Sequence, residues 1–347
     1  MVFFSSLKNL FSRRDKRTSN ASSLQQAASK KKGLAYSNGN QHSSNKSTAA
    51  NSPANSTTNN SSNGHSFQYK DGRRYHGDSD VAYVLPNDDD EADRVHQQHW
   101  ILRYALQSNY QAPVTDQLEK GITVLDSGCG PATWTFEMGE AWPNSTFHGI
   151  DASCVFPENI KPANVEFVIG NIAKEIPYPD NTFDYVHQRL LLLGLTNDDW
   201  ENALKELYRV LKPGGYIELA EPDLQDLENM GPILRKLQYT MSDMLKSRNM
   251  PNKVACELED RLIRAGFVNT KLKMTPLKLN HTDKAGKLLW DDYKHGYSNV
   301  RPVMAQIVPE WQDAEVYARF LADCGVEAEK NKTNVNWYAC YAQKPTQ

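Results

Sequence analysis

Ile122-Thr-Val-Leu-Asp-Ser-Gly-Cys-Gly-Pro-Ala-Thr133 runs a short apolar strand directly into a glycine turn. Gly128 and Gly130, separated by one residue, let the backbone bend sharply and approach a ligand with no Cβ in the way. Asp151 lies 21 residues beyond Gly130, at the end of the next apolar run, Phe147-His-Gly-Ile150. At such a strand tip a carboxylate can accept hydrogen bonds from both hydroxyls of a ribose, which points to an adenosine-type ligand. A dinucleotide fingerprint would carry a third glycine at position 133, where this chain has Thr. Asp126, directly before the turn, would repel a pyrophosphate but suits a ligand bearing an ammonium and a sulfonium. S-adenosylmethionine is therefore favoured over a nicotinamide cofactor, and a nicotinamide oxidoreductase is the rival. The plainer alternative is that Asp126 and Asp151 only cap the elements that follow.

On either side the same texture repeats. Val165-Glu-Phe-Val-Ile169, Phe183-Asp-Tyr-Val186 and Tyr216-Ile-Glu-Leu219 follow at intervals of roughly 20 to 30 residues, with helical patterns between them. The clearest helix spans 200–211, with Leu204, Leu207, Tyr208 and Leu211 on one face and Pro213-Gly214-Gly215 as its stop. Strand and helix alternation of this kind predicts an α/β fold, a parallel sheet covered on both faces, with ligands at the carboxyl ends of its strands. Upstream, Asn87 followed by Asp88, Asp89, Asp90, Glu91 and Asp93 predicts an N-cap and the acidic first turn of a helix through Arg94, Trp100, Leu102 and Leu106. A metal site is the rival for those acids, but no metal is expected, and His96 and His99 lack a matched third ligand and are expected to pack or lie at the surface. Downstream, 231–250 and 257–265 read as helices, 267–277 as a strand, and 337–341 as the last strand. Between them, 281–333 holds Trp290, Tyr293, Tyr297 and Trp311, which would either roof an apolar small-molecule pocket or glue the insertion to the core.

Charge is unevenly distributed. The chain has 347 residues and a net charge of −3, yet 1–65 carry nine basic side chains and one acid. That balance of +8 leaves −11 for the other 282 residues, which disfavours nucleic-acid binding by the folded part. Ser, Asn and Thr fill 25 of the 48 positions in 18–65, a composition too poor in large apolar side chains to offset the entropy of ordering, so a disordered tail is expected over 1–66. Phe3, Phe4, Leu7, Leu10 and Phe11 recur at helical spacing beside basic residues, a pattern suited to an anionic membrane surface or to mitochondrial import. The short basic runs 13–17 and 30–32 are also compatible with nuclear import; a solvated tail with no dedicated partner is the plain alternative. No apolar run approaches the roughly 20 residues of a membrane span, and the opening residues lack a secretory cleavage site. Five cysteines with no CxxC spacing suggest neither a disulfide framework nor a zinc knuckle, which fits a reducing, cytoplasmic or nuclear setting.

Val124-Leu-Asp-Ser-Gly-Cys-Gly130 resembles motif I of the class I S-adenosylmethionine-dependent methyltransferases. Phe147-His-Gly-Ile-Asp151 resembles their second motif, Pro179-Asp-Asn-Thr-Phe-Asp-Tyr-Val186 their fourth-strand signature, and Leu211-Lys-Pro-Gly-Gly215 the turn before strand five. Arg74-Tyr-His76, Tyr83-Val-Leu-Pro-Asn-Asp88, Glu91, Arg94 and Gln98 look like the opening segment of a fungal branch that includes regulators of secondary metabolism. The resemblance implies a Rossmann-like, seven-stranded, mostly parallel sheet with helices on both faces and a last antiparallel strand. It implies a methyltransferase domain over 67–347: an N-terminal helical segment over 67–115, a cofactor-binding core over 116–221, substrate-side helices and insertion over 222–335, and the last strand over 336–345. Carried over residue by residue, Gly128 and Gly130 would line the methionine moiety, Asp126 would face its ammonium and Asp151 would hold the ribose. Asn171 stands where an acidic residue usually meets the adenine amino group, with Ile172 beside it, and Ala132 stands where many members have a third glycine. Gln188 is the expected contact to the methionine end.

Methyl transfer from a sulfonium is an in-line displacement whose leaving thioether needs no acid, so alignment can supply much of the acceleration. A base is required only if the acceptor must lose a proton. His187 is the nearest candidate, with Glu221 and Asp223 as rivals. The Asp/Asn-Pro-Pro-Tyr/Phe tetrad of enzymes that methylate amides and exocyclic base amines is absent after the fourth strand, which disfavours those acceptors. The acceptor is expected to be a small molecule or a protein. The alternative is a regulatory protein that keeps the fold and acts through protein partners.

Overall fold

A computed structural model describes residues 67–347 apart from 71, 78, 79 and 158. The expectations for the tail and its basic and apolar clusters lie outside the described residues. Nine strands and eight α-helices are described: β1 (Phe67–Lys70), β2 (Arg73–His76), α1 (Asp89–Leu106), α2 (Thr115–Lys120), β3 (Thr123–Ser127), α3 (Thr133–Ala141), β4 (Thr146–Asp151), β5 (Val165–Ile169) and β6 (Phe183–Arg189), then α4 (Asn197–Val210), β7 (Leu211–Pro222), α5 (Pro232–Ser247), α6 (Val254–Arg264), β8 (Val268–Lys278), α7 (Lys284–Met304), α8 (Ala314–Asn331) and β9 (Asn334–Gln343). Seven strands form one sheet in the order β5-β4-β3-β6-β7-β9-β8. The five from β5 to β7 are parallel, and β9 is antiparallel to both β7 and β8. The order reverses beside β3, so the tips of β3, β4 and β6 share one crevice. This is the Rossmann-like methyltransferase fold.

Strand alternation sorts the core into layers. Val124, Phe147, Val165 and Tyr185 face one way and pack with Leu118 of α2 and Trp134 and Met138 of α3. Leu125, Ile150, Val186 and Leu219 face the other way, against Trp200, Leu204 and Leu207 of α4 and Leu258 and Leu262 of α6. Each such side chain, wholly buried, contributes about 1.5–3 kcal/mol relative to exposure. α4 starts in a capping box: Thr196 accepts from Asp199 N, and the Asp199 side chain accepts from Thr196 N.

The third core cluster lies under α1, α5, α7 and α8. Trp290 and Trp311 are buried there, the Trp311 ring tilted against Tyr317 and Phe320 with centroids 5.1 and 4.9 Å away, so these indoles glue the insertion to the core. Asn87 is not the N-cap of α1. Asp88 takes that position, accepting from Glu91 N, because the Asn87 amide already donates to Ser153 Oγ and accepts from Arg74 Nε.

Candidate active site

The glycine turn sits where β3 ends. Gly128 N and Cys129 N both donate to Ile150 O, at 2.8 and 3.0 Å, which draws the turn onto the tip of β4. Gly128 and Gly130 have φ of +69° and +52°, in the left-handed region that favours glycine. A Cβ on Gly128 would lie 2.8 Å from Leu191 Cδ2. Ala132 also adopts a left-handed conformation, with φ +65°, immediately before α3.

Two carboxylates flank this turn. Asp126 is buried; its Oδ2 accepts from Thr135 Oγ1 at 2.5 Å, and its Oδ1 lies 3.3 Å from His187 Nδ1. Asp151 Oδ2 accepts from Gly130 N and Oδ1 from Ser153 N, both at 2.9 Å. Burial pushes the Asp151 carboxyl up, against those two backbone N–H groups, which draw it down. Each carboxylate oxygen has two lone pairs, so each keeps an acceptor site after one backbone bond.

Both carboxylates line a cavity of about 240 Å³ that also exposes Gly128, Gly130, Asn171 and Ile172. Asn171 Oδ1 accepts from Ala173 N at 2.9 Å and its Nδ2 donates to Asp80 O. His76 and residues 80–83 and 85–88 also line the cavity, with His76 bonded to Ser153 and Val84 N donating to Leu193 O. At the far end the walls become apolar, with Leu190, Leu193, Met241, Tyr293, Tyr297 and Val300. The aromatics of the insertion thus divide: two tyrosines reach the cavity while the tryptophans glue.

His187 and Arg189 line the cavity and Gln188 does not. Across β3 and β6, Asp126 is paired with His187 and Ser127 with Gln188. Strand alternation therefore turns Gln188 to the opposite face, where its Oε1 accepts from Ser127 Oγ at 3.0 Å. The His187 ring stacks on Trp134 with centroids 3.9 Å apart and planes 3° apart, which fixes its orientation. Glu221 is wholly buried behind the wall, accepting from Leu191 N and Leu192 N at 2.7 and 3.3 Å, and burial pushes its carboxyl up to about 8. Asp223 accepts from Gln225 N and Asp226 N and from Cys256 Sγ. Neither rival base lines the cavity.

Three of the acids at the start of α1, Asp88, Asp90 and Glu91, are engaged in ion pairs. Asp88 and Asp90 meet Arg73, and buried Arg94 bridges Glu91 and Asp292 at 2.6 Å to each. No group of three or more His, Cys, Asp or Glu among the described residues is arranged to hold a metal. Asp292 also accepts from Gln98 Nε2, and so locks α7 onto α1. Sequence reasoning missed Asp292 because its partners lie 194 and 198 residues away. His99 is buried, bonded to Glu137 at 2.6 Å, and burial lowers its ring to about 4.

Residues 124–215 match the family described as a methyltransferase domain. A demethylmenaquinone methyltransferase of Geobacillus sp. (strain WCH70) is 42% identical over 181 residues, covering 45% of this chain and 75% of that protein. The chain belongs to the S-adenosylmethionine-dependent methyltransferases. The cofactor of this methyltransferase family is S-adenosylmethionine, and its fungal members are represented among the relatives. Methyltransferase pytC of Aspergillus terreus is 34% identical over 158 residues, 45% of this chain and 46% of that protein. The secondary metabolism regulator LAE1 of Cochliobolus heterostrophus is 29% identical over 209 residues, 58% of this chain and 67% of that protein. The chain spans about half the length of pytC.

The residues suit this cofactor. Gly130 lines the cavity with open space where a side chain would stand, and two carboxylates flank the turn where an ammonium and a ribose need acceptors. No helix among the described residues is long and apolar enough to cross a membrane.

Proposed function

We propose that this chain methylates a small molecule with an apolar body. The observation that carries this is the continuity of one cavity from the Asp126 and Asp151 carboxylates to the apolar walls at Met241, Tyr293 and Tyr297. S-adenosylmethionine, when bound, supplies an electrophilic methyl group on a sulfonium. Asp151 would receive the ribose hydroxyls on the lone pairs left by Gly130 N and Ser153 N. Asp126, held by Thr135, would face the ammonium, and the bare backbone of Gly128 and Gly130 would let the methionine end approach. Ile172 would pack on the adenine and Asn171 Oδ1 would accept from its amino group. Gln188 would act through Ser127, buttressing the turn from beneath. His187, clamped between Trp134 and Asp126, remains the candidate base for an acceptor that must lose a proton. The apolar walls would exclude water and align the acceptor, a contribution worth several kcal/mol in well-oriented systems.

Calorimetric titration of S-adenosylhomocysteine tests the cofactor half. Asp151→Ala should weaken binding roughly ten- to hundred-fold, because it removes charge-assisted hydrogen bonds worth about 1.5–3 kcal/mol. Unchanged affinity would refute the ribose assignment. Untargeted comparison of small metabolites with the gene present and deleted tests the acceptor half: a pair differing by one CH₂ would name the product, whereas methyl label transferred only to protein would overturn it.

A further inference from the structure

Two guanidinium groups line the cavity, and they are treated differently. Arg94 is matched by Glu91 and Asp292. Arg189 has no carboxylate within 4.0 Å among the described residues; its Nη2 donates to His99 Nδ1 at 3.1 Å. That acceptor is a neutral imidazole by construction. Glu137 Oε2 accepts the hydrogen bond from His99 Nε2–H at 2.6 Å, which leaves Nδ1 as a bare lone pair aimed at Arg189. Arg103 in turn sits 3.4 Å from the other Glu137 oxygen. Arg189 is thus held in place without being neutralised, and its remaining N–H donors are open to the cavity. Burial pushes its guanidinium down, while Asp126, Glu137, Glu218 and Glu221 raise it from longer range. A half-buried cation with unused donors in a fixed fork is costly to keep unless a ligand supplies the anion. The fork matches a carboxylate bidentately, and the second charge of a phosphate would face Asp126.

We propose that Arg189, oriented by the His99 and Glu137 pair, is the carboxylate-recognising residue of the methyl-transfer cavity. The inference rests on the cofactor reading above. The carboxylate belongs either to the methionine tail of the cofactor or to an acidic acceptor, and the two sources separate in calorimetric titrations of the full chain. S-adenosylhomocysteine and its decarboxylated analogue are compared on the unaltered protein, Arg189→Met and Arg189→Lys. In the presence of saturating S-adenosylhomocysteine, 4-hydroxybenzoate and its methyl ester are compared on the same three proteins. A preference of roughly ten- to hundred-fold for the carboxylate-bearing member of either pair, lost in Arg189→Met and partly kept in Arg189→Lys, is expected and identifies the source. If Arg189→Met does not fold by circular dichroism, the ligand pairs on the unaltered protein and on Arg189→Lys decide. Normal S-adenosylhomocysteine binding with no carboxylate preference in either pair overturns this inference alone. Failure of the unaltered protein to bind S-adenosylhomocysteine overturns it together with the cofactor reading.

Discussion

Glu221 is the residue whose ionisation should be felt most widely. It is wholly buried and bonds two successive amides of the cavity wall, and burial lifts its carboxyl from 4.5 to about 8. A carboxyl that binds its proton more tightly folded than unfolded stabilises the fold fully below about pH 4.5, and that contribution fades as the pH rises to about 8. Thermal unfolding temperature should therefore fall across about pH 5 to 8, and Glu221→Gln should flatten the slope, which is at most about 1.4 kcal/mol per pH unit for one group. Gly128→Ala should also be damaging. It places a Cβ at φ +69°, a strain of about 1–2 kcal/mol, and drives it 2.8 Å from Leu191, so loss of stability should accompany loss of S-adenosylhomocysteine binding by calorimetry. Asp126, Gly128 and Asp151 were legible because a strand tip and the turn it feeds are local features. Facing was less so: the expectation for Gln188 overlooked that residues 187 and 189 share a side, a signal available from period-two alternation once Asp126 is aligned with His187.

Among the elements, α4 is the one most completely written in local sequence. Its apolar face, its acidic first turn and its capping box all fall within 196–210. Thr196→Ala should cost about 1 kcal/mol in urea unfolding with no change in the number of helices seen by circular dichroism. The five parallel strands were likewise visible as short apolar runs, since a strand covered on both faces has little choice of side chain, whereas β8, a largely exposed edge strand, showed itself only by its place after the Ala265-Gly266 stop. The β1 and β2 hairpin was not foreseen. Its exposed and half-buried polar strands carry no apolar pattern, and Arg73 and Arg74 are instead tied to Asp88 and Asn87 at the start of α1.

For the whole molecule, the decisive joint is between α1 and α7. Arg94, Glu91, Gln98 and Asp292 form a buried network that fastens α7 to α1 in the wall of the cavity. Asp292→Ala should remove one of the two carboxylates on the buried Arg94 and leave the Gln98 amide without its acceptor, costing about 3 kcal/mol in chemical denaturation, with faster amide exchange concentrated in 284–304. The same joint marks the boundary of what sequence alone determined. The alternation of strands and helices, the glycine turn and the two carboxylates that suit a cationic nucleoside follow from patterns a few residues long and from the rules that close a parallel sheet. Which tyrosines face the cavity and which tryptophans fill the core, and why Arg94 has two carboxylate partners while Arg189 has none within 4.0 Å among the described residues, were decided only by tertiary packing. The partner that settles each of these lies on a different element, as Asp292 does for Arg94, and pairing across such distances leaves no periodic trace in a single chain.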